Sequence, residues 1–143
     1  MIYIDTNVFV YASIEKGVLG EKARMLIKSI QNGENPSITS AITLSEVVYA
    51  IRKEKGLEAA LEGGKAVLEM DGLRIAELDR GVCFDTMEIM RETKLQPQDS
   101  IHYATMKHHG ITAIITEDKE FNRIKDIKRY SISEFVRRHS KQN

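Results

Sequence analysis

Ile2-Tyr3-Ile4-Asp5-Thr6-Asn7-Val8-Phe9-Val10-Tyr11 opens as a short apolar strand, meets a carboxylate, and continues with a helix-like pattern from Asn7. A second strand candidate stands near the other end, where the β-branched run Ala113-Ile114-Ile115-Thr116 follows Gly110 and precedes Asp118. Between them, Ser37-Ile38-Thr39 follows the turn-forming Asn35-Pro36, and residues 73 to 78 alternate apolar and polar side chains. Arg129 to Ile132 adds a candidate edge strand. Helical periodicity fills the intervals. Ala23, Leu26, Ile27 and Ile30 recur along 21–30; Leu44, Val47, Val48 and Ile51 along 43–51; Leu57, Leu61 and Leu68 along 57–70. Cys83, Met87 and Met90 line one side of 80–93, and Ile101, Ala104, Thr105 and His108 one side of the next helix. Strands alternating with helices predict an α/β fold of three layers, a short and mostly parallel sheet flanked by helices.

The chain has 143 residues, a length that suits one domain over 1–143 with a substantial core. No repeat, low-complexity tract or linker divides it. The single Cys83 cannot form an internal disulfide, and an early carboxylate replaces the basic start of a secretory leader. No apolar stretch approaches the roughly 20 residues a membrane helix requires. Together these point to a cytoplasmic protein. Lys plus Arg equals Asp plus Glu at 21 each, so no overall basic charge announces a nucleic-acid partner. The C-terminal stretch is nevertheless basic: from Lys119 onward there are eight Lys or Arg, Lys141 included, against Glu120, Asp126 and Glu134. That stretch reads either as a solvated face or as a phosphate-contacting patch.

Each acid of interest has a local structural explanation. Asp5 is placed to cap the first helix. Thr43 and Glu46 match a capping box, Asp99 falls in a first helical turn after Pro97, and Asp118 suits the first turn of a short helix. Their joint placement has another consequence. A parallel sheet gathers strand ends and the following helix starts at one edge, where ligands of α/β proteins bind. Like charges 4 Å apart cost on the order of 4 kcal/mol per pair at an effective dielectric near 20. Caps contribute only about 1 kcal/mol each. A divalent cation would offset the repulsion, and an all-oxygen donor set suits Mg²⁺ or Mn²⁺ rather than zinc.

Four segments carry a family resemblance over nearly the whole chain. Ile4-Asp5-Thr6-Asn7 resembles the opening of PIN-domain nucleases, and Thr43-Leu44-Ser45-Glu46 their helix-borne glutamate. Asp99-Ser100-Ile101-His102-Tyr103-Ala104 is similar to the third motif, and Ile115-Thr116-Glu117-Asp118-Lys119-Glu120-Phe121 to the fourth. The compact length resembles the VapC toxin branch. The resemblance implies a Rossmann-like sheet and a Mg²⁺- or Mn²⁺-dependent endoribonuclease that leaves a 5′ phosphate. It also implies a homodimer and a cognate antitoxin. It assigns Asp5, Glu46, Asp99 and Asp118 to catalysis and metal binding, Asn7 and Thr116 to support, and Glu120 as a secondary acid. Asn7 would orient Asp5 and Thr116 would position Asp118.

His108 shares a face with Ile101 and Ala104 and reads as packed; His109 beside Gly110 reads as a helix end. His102 is one helical turn from Asp99. The tyrosines and phenylalanines are scattered, with no stacking platform legible in their order. Alternative functions are a housekeeping RNA-processing nuclease, a non-catalytic interaction module, and a phosphohydrolase with Asp5 as nucleophile. Asn7 stands where the last would favour a helper acid.

Overall fold

A computed structural model of the chain describes residues 1–140; Lys141, counted above in the basic stretch, lies outside them. Five strands form one all-parallel sheet: β1 (Ile2–Ile4), β2 (Ser37–Ser40), β3 (Leu73–Ala76), β4 (Ala113–Ile115) and β5 (Lys128–Tyr130). Their spatial order is β3-β2-β1-β4-β5. The chain thus winds outward from β1 in one direction and returns on its other side as β4. The boundary between these two strands is the topological switch point, where the crevice beyond the strand ends is widest.

Among the described residues seven α-helices cover the sheet: α1 (Thr6–Ile14), α2 (Val18–Gln31), α3 (Ile42–Lys55), α4 (Leu57–Leu68), α5 (Arg80–Thr93), α6 (Pro97–His108) and α7 (Ile132–Ser140). Alternation along the strands separates two cores. Ile4 and Ile115 point into one with Val8, Leu26, Val47 and Phe135, while Tyr3 and Ile114 point into the other with Val82, Ala104 and Phe121. Burial on both faces explains why β1 and β4 read as unbroken apolar runs.

Helix boundaries follow local chemistry. Asp79 caps α5 by accepting from the Val82 N–H at 3.0 Å, and Lys94 ends that helix in the left-handed region at φ 62°. Pro97 occupies the first turn of α6. Gly56, at φ 90°, reverses the chain between α3 and α4. Those helices then pack closely: a Cβ on Gly64 would stand 2.8 Å from Val48 Cγ2.

Several expectations are corrected. The edge strand ends at Tyr130, because Ile132 starts α7 and is fully buried. In α4 the buried side is Ala60, Gly64 and Val67, not Leu57, Leu61 and Leu68, which are exposed. In α5 the buried side is Val82, Thr86 and Ile89, and Cys83 and Met87 face solvent. Val47 and Ile51 belong to the core. His108 is exposed, not packed, and bonds through Nε2 to the Asp85 carboxylate. Among the described residues no helix is long and apolar enough to cross a membrane.

Candidate active site

The four acids arrive from four separate elements. Asp5 immediately follows β1, and Asp118 lies three residues beyond the end of β4. Glu46 lies in the second turn of α3, and Asp99 in the first turn of α6. All four line one cleft of about 640 Å³ at the switch point. Their gathering follows from the parallel winding, which sends every strand end and helix start to this edge.

Asp5 is held from several sides. Its Oδ1 accepts from the Thr6 N–H at 2.8 Å, so it does cap α1. Its Oδ2 accepts from the Thr116 hydroxyl at 2.6 Å and from Asn7 Nδ2 at 3.2 Å. The buried Thr116 Oγ1 also accepts from Asn7 Nδ2 at 2.9 Å and from the Asp118 N–H at 3.0 Å. One hydroxyl therefore ties the end of β1 to the loop after β4. Asn7 adds a second tie through Oδ1, which accepts from the Glu117 N–H at 3.3 Å.

Glu46 is not the capping-box glutamate. The cap of α3 is Ala41, and the fully buried Thr43 hydroxyl bonds inward to Thr39 at 2.7 Å. Glu46 is thereby free to turn to the cleft, where Oε1 accepts from Thr6 Oγ1 at 2.9 Å and bonds His102 Nε2 at 2.7 Å. His102 is almost completely buried; its Nδ1 lies 2.6 Å from the Tyr3 hydroxyl and its Nε2 3.5 Å from Asp5 Oδ1. An ionised Glu46 carboxylate can only accept, so the His102 Nε2–H donates to it whether the ring is neutral or charged. Tyr3, Thr6 and His102 are the parts that sequence reasoning missed. The signals available were a hydroxyl within the apolar run at Tyr3, the place of Thr6 between Asp5 and Asn7, and His102 one turn from Asp99.

Glu120 behaves differently. Its backbone N–H donates to Asp118 Oδ1 at 2.9 Å, but its carboxylate pairs with Arg123 Nη1 at 2.6 Å and does not line the cleft.

The electrostatics record the crowding. Burial, then the charges of Asp118 and Asp5, push the Asp99 carboxyl from 3.8 up to about 7. Burial also pushes Glu46 upward, but the His102 hydrogen bond and charge, with Thr6, outweigh it and leave that carboxyl below its usual range. Burial disfavours charge on His102, yet Glu46, Asp5 and Asp99 together raise its pKa.

This donor set fits a hard divalent cation: it is all oxygen, and Asp99 carries repulsion that a cation would relieve. Among the described residues no three Asp, Glu, His or Cys groups already form a ready metal cage. Such an ion would keep part of its water, as Mg²⁺ characteristically does, or draw the carboxylates inward.

The PIN domain model matches residues 2–127, and the chain belongs to the PIN-domain family. It is 27% identical over 132 residues to a VapC ribonuclease of Mycobacterium bovis, covering 90% of this chain and 98% of that one. By structure it resembles the Mycobacterium tuberculosis sarcin-ricin loop cleaving toxin VapC20, with a TM-score of 0.75 at 18% identity over 90% of this chain and 98% of that one. The VapBC2 structure of Rickettsia felis, bound to a promoter DNA fragment, gives 0.71 at 20% identity over 92% and 98%.

Proposed function

We propose that the chain is a Mg²⁺- or Mn²⁺-dependent endoribonuclease, the toxin of a type II toxin–antitoxin pair. The observation that carries this reading is the single cleft shared by Asp5, Glu46, Asp99 and Asp118, with Asp99 pushed up to about 7 by its neighbours. Family membership and the names of the VapC relatives support ribonuclease action. Structural likeness to VapBC2 supports an antitoxin partner.

Asp5 and Asp99 would hold the ion directly, with Glu46 and Asp118 completing the set in part through water. When bound, the cation supplies a lowered water pKa, in-line orientation and neutralisation of charge on the phosphate. The chain's own residues prepare for this. Thr116 and Asn7 fix the Asp5 carboxylate, and Thr116 also anchors the Asp118 backbone. His102 and Thr6 hold Glu46 ionised in the cleft. Asp99 releases its proton when it takes up the ligand role. Water as nucleophile leaves a 5′ phosphate. Exposed Leu61, Leu68, Phe84 and Met87 offer apolar area to a second copy or to the antitoxin, and sedimentation with and without that partner reports which.

Cleavage of structured and single-stranded RNAs with Mg²⁺, Mn²⁺ or chelator tests the reading. Metal-dependent cutting lost in Asp99→Asn is expected. Cutting in chelator, or an unimpaired variant, would overturn it.

A further inference from the structure

Among the described residues no Lys or Arg lines the acidic cleft; beyond the carboxylates and uncharged polar groups, its walls are Val10, Tyr11 and Tyr49. A polyanionic strand entering it is repelled by the acids. One bound cation answers for the phosphate it meets, but the adjoining nucleotide needs affinity that does not come from protein cations. Aromatic rings supply that, because every base has a face on which to stack.

Tyr49 is placed for this. It follows Glu46 by three residues and Ser45 by four, so all three share one face of α3, while Thr43, Val47 and Ile51 are buried. The rise from Glu46 to Tyr49 is about 4.5 Å along the helix axis. Tyr49 is 72% exposed, the highest value among the large apolar residues described. Tyr11 stands in the same cleft from α1, partly buried and braced against the core. Among the described residues neither hydroxyl has a hydrogen-bond partner; core packing accounts for the position of Tyr11, but Tyr49 belongs to neither core cluster. Tyrosine offers a wide apolar face with little rotamer freedom to lose.

Resting on the nuclease reading above, we propose that Tyr49, backed by Tyr11, is a stacking subsite for the nucleobase next to the phosphate held at the acids. The order of the aromatic residues along the chain hides it, because 38 positions separate the two rings and the fold alone brings them together.

The chain contains no tryptophan, so Tyr49→Trp installs a unique fluorophore at the subsite. In an Asp99→Asn background, a short single-stranded RNA should quench the introduced indole, and the same strand carrying abasic sites should not. In the otherwise native protein, Tyr49→Ala should raise KM about 5- to 150-fold, the usual cost of removing one stacking ring. Tyr49→Phe should restore the native KM. The salt dependence of binding should keep its slope in Tyr49→Ala, since stacking releases no counterions. Equal quenching by the abasic strand, an unchanged KM, or a shallower salt slope would overturn the subsite. So would a concentration-dependent blue shift of the indole emission without RNA, which would mean that a second copy covers it. If cleavage is metal-dependent while Tyr49→Ala is silent, the subsite fails and the nuclease reading stands. If no RNA is cut but bases still quench the fluorophore, the nuclease reading fails and a nucleobase site remains.

Discussion

Replacing Asp99 by asparagine removes a negative charge from a cleft that also contains Asp5 and Asp118. In the folded chain this carboxyl ionises near 7, against 3.8 for an unperturbed aspartate. The folded state therefore holds the proton more tightly than the unfolded state does. The Asp99 contribution to stability is full below about pH 4, falls as pH rises, and is lost completely only above about 7. At 1.36 kcal/mol per pKa unit the gap corresponds to about 4 kcal/mol. Asp99 is half-buried at the edge of an open cleft, so solvent screening reduces this to about 1–2 kcal/mol. In chelator at pH 8, Asp99→Asn should raise the melting temperature by about 3–8 °C for a chain of this size. At pH 4 the two proteins should melt together. Circular dichroism melts at pH 4, 6 and 8 measure this. No gain at pH 8, or an equal gain at pH 4, would show that the acids do not repel one another as described.

Proton linkage should also appear in metal binding: calorimetry should find Mn²⁺ affinity weakening by about tenfold per pH unit below 7 and levelling above it, as the Asp99 proton must leave. His102→Ala strips a partner from the Tyr3 hydroxyl and from Glu46, and urea titration should show a loss of about 2–4 kcal/mol. Tyr3→Phe, which deletes only the hydroxyl, should lose about 1 kcal/mol. Asp79→Ala removes the cap of α5, and Asp79 does not line the cleft, so denaturation should register about 1 kcal/mol while RNA cleavage is unchanged.

The parallel architecture was legible because Ile2–Ile4 and Ala113–Ile115 are buried on both faces and carry no polar alternation. Asp5 and Asp118 were legible for the same reason, since a carboxylate just beyond such a run stands at the sheet edge. The switch point was not. It depends on β1 pairing with both β2 and β4, a long-range choice that no local pattern records. Helix faces misread in α4 and α5 share a cause: close packing selected Ala60, Gly64, Val82 and Thr86 and left larger Leu61 and Met87 outside. Glu46 resembled a cap because Thr43 sits three residues earlier, yet burial turns that hydroxyl to Thr39. His102 was hidden because its partners, Tyr3 and Glu46, lie 99 and 56 residues away in sequence.

Whether these four carboxylates hold a divalent cation is tested most directly by titrating Mn²⁺ into the metal-free protein. The electron paramagnetic resonance signal of free Mn²⁺ follows binding without reference to any substrate. The native chain should remove Mn²⁺ from solution at saturable sites, and Asp5→Asn and Asp99→Asn should each abolish or severely weaken that binding while remaining folded. Native protein that leaves the Mn²⁺ signal untouched, or variants that bind as the native chain does, would contradict it.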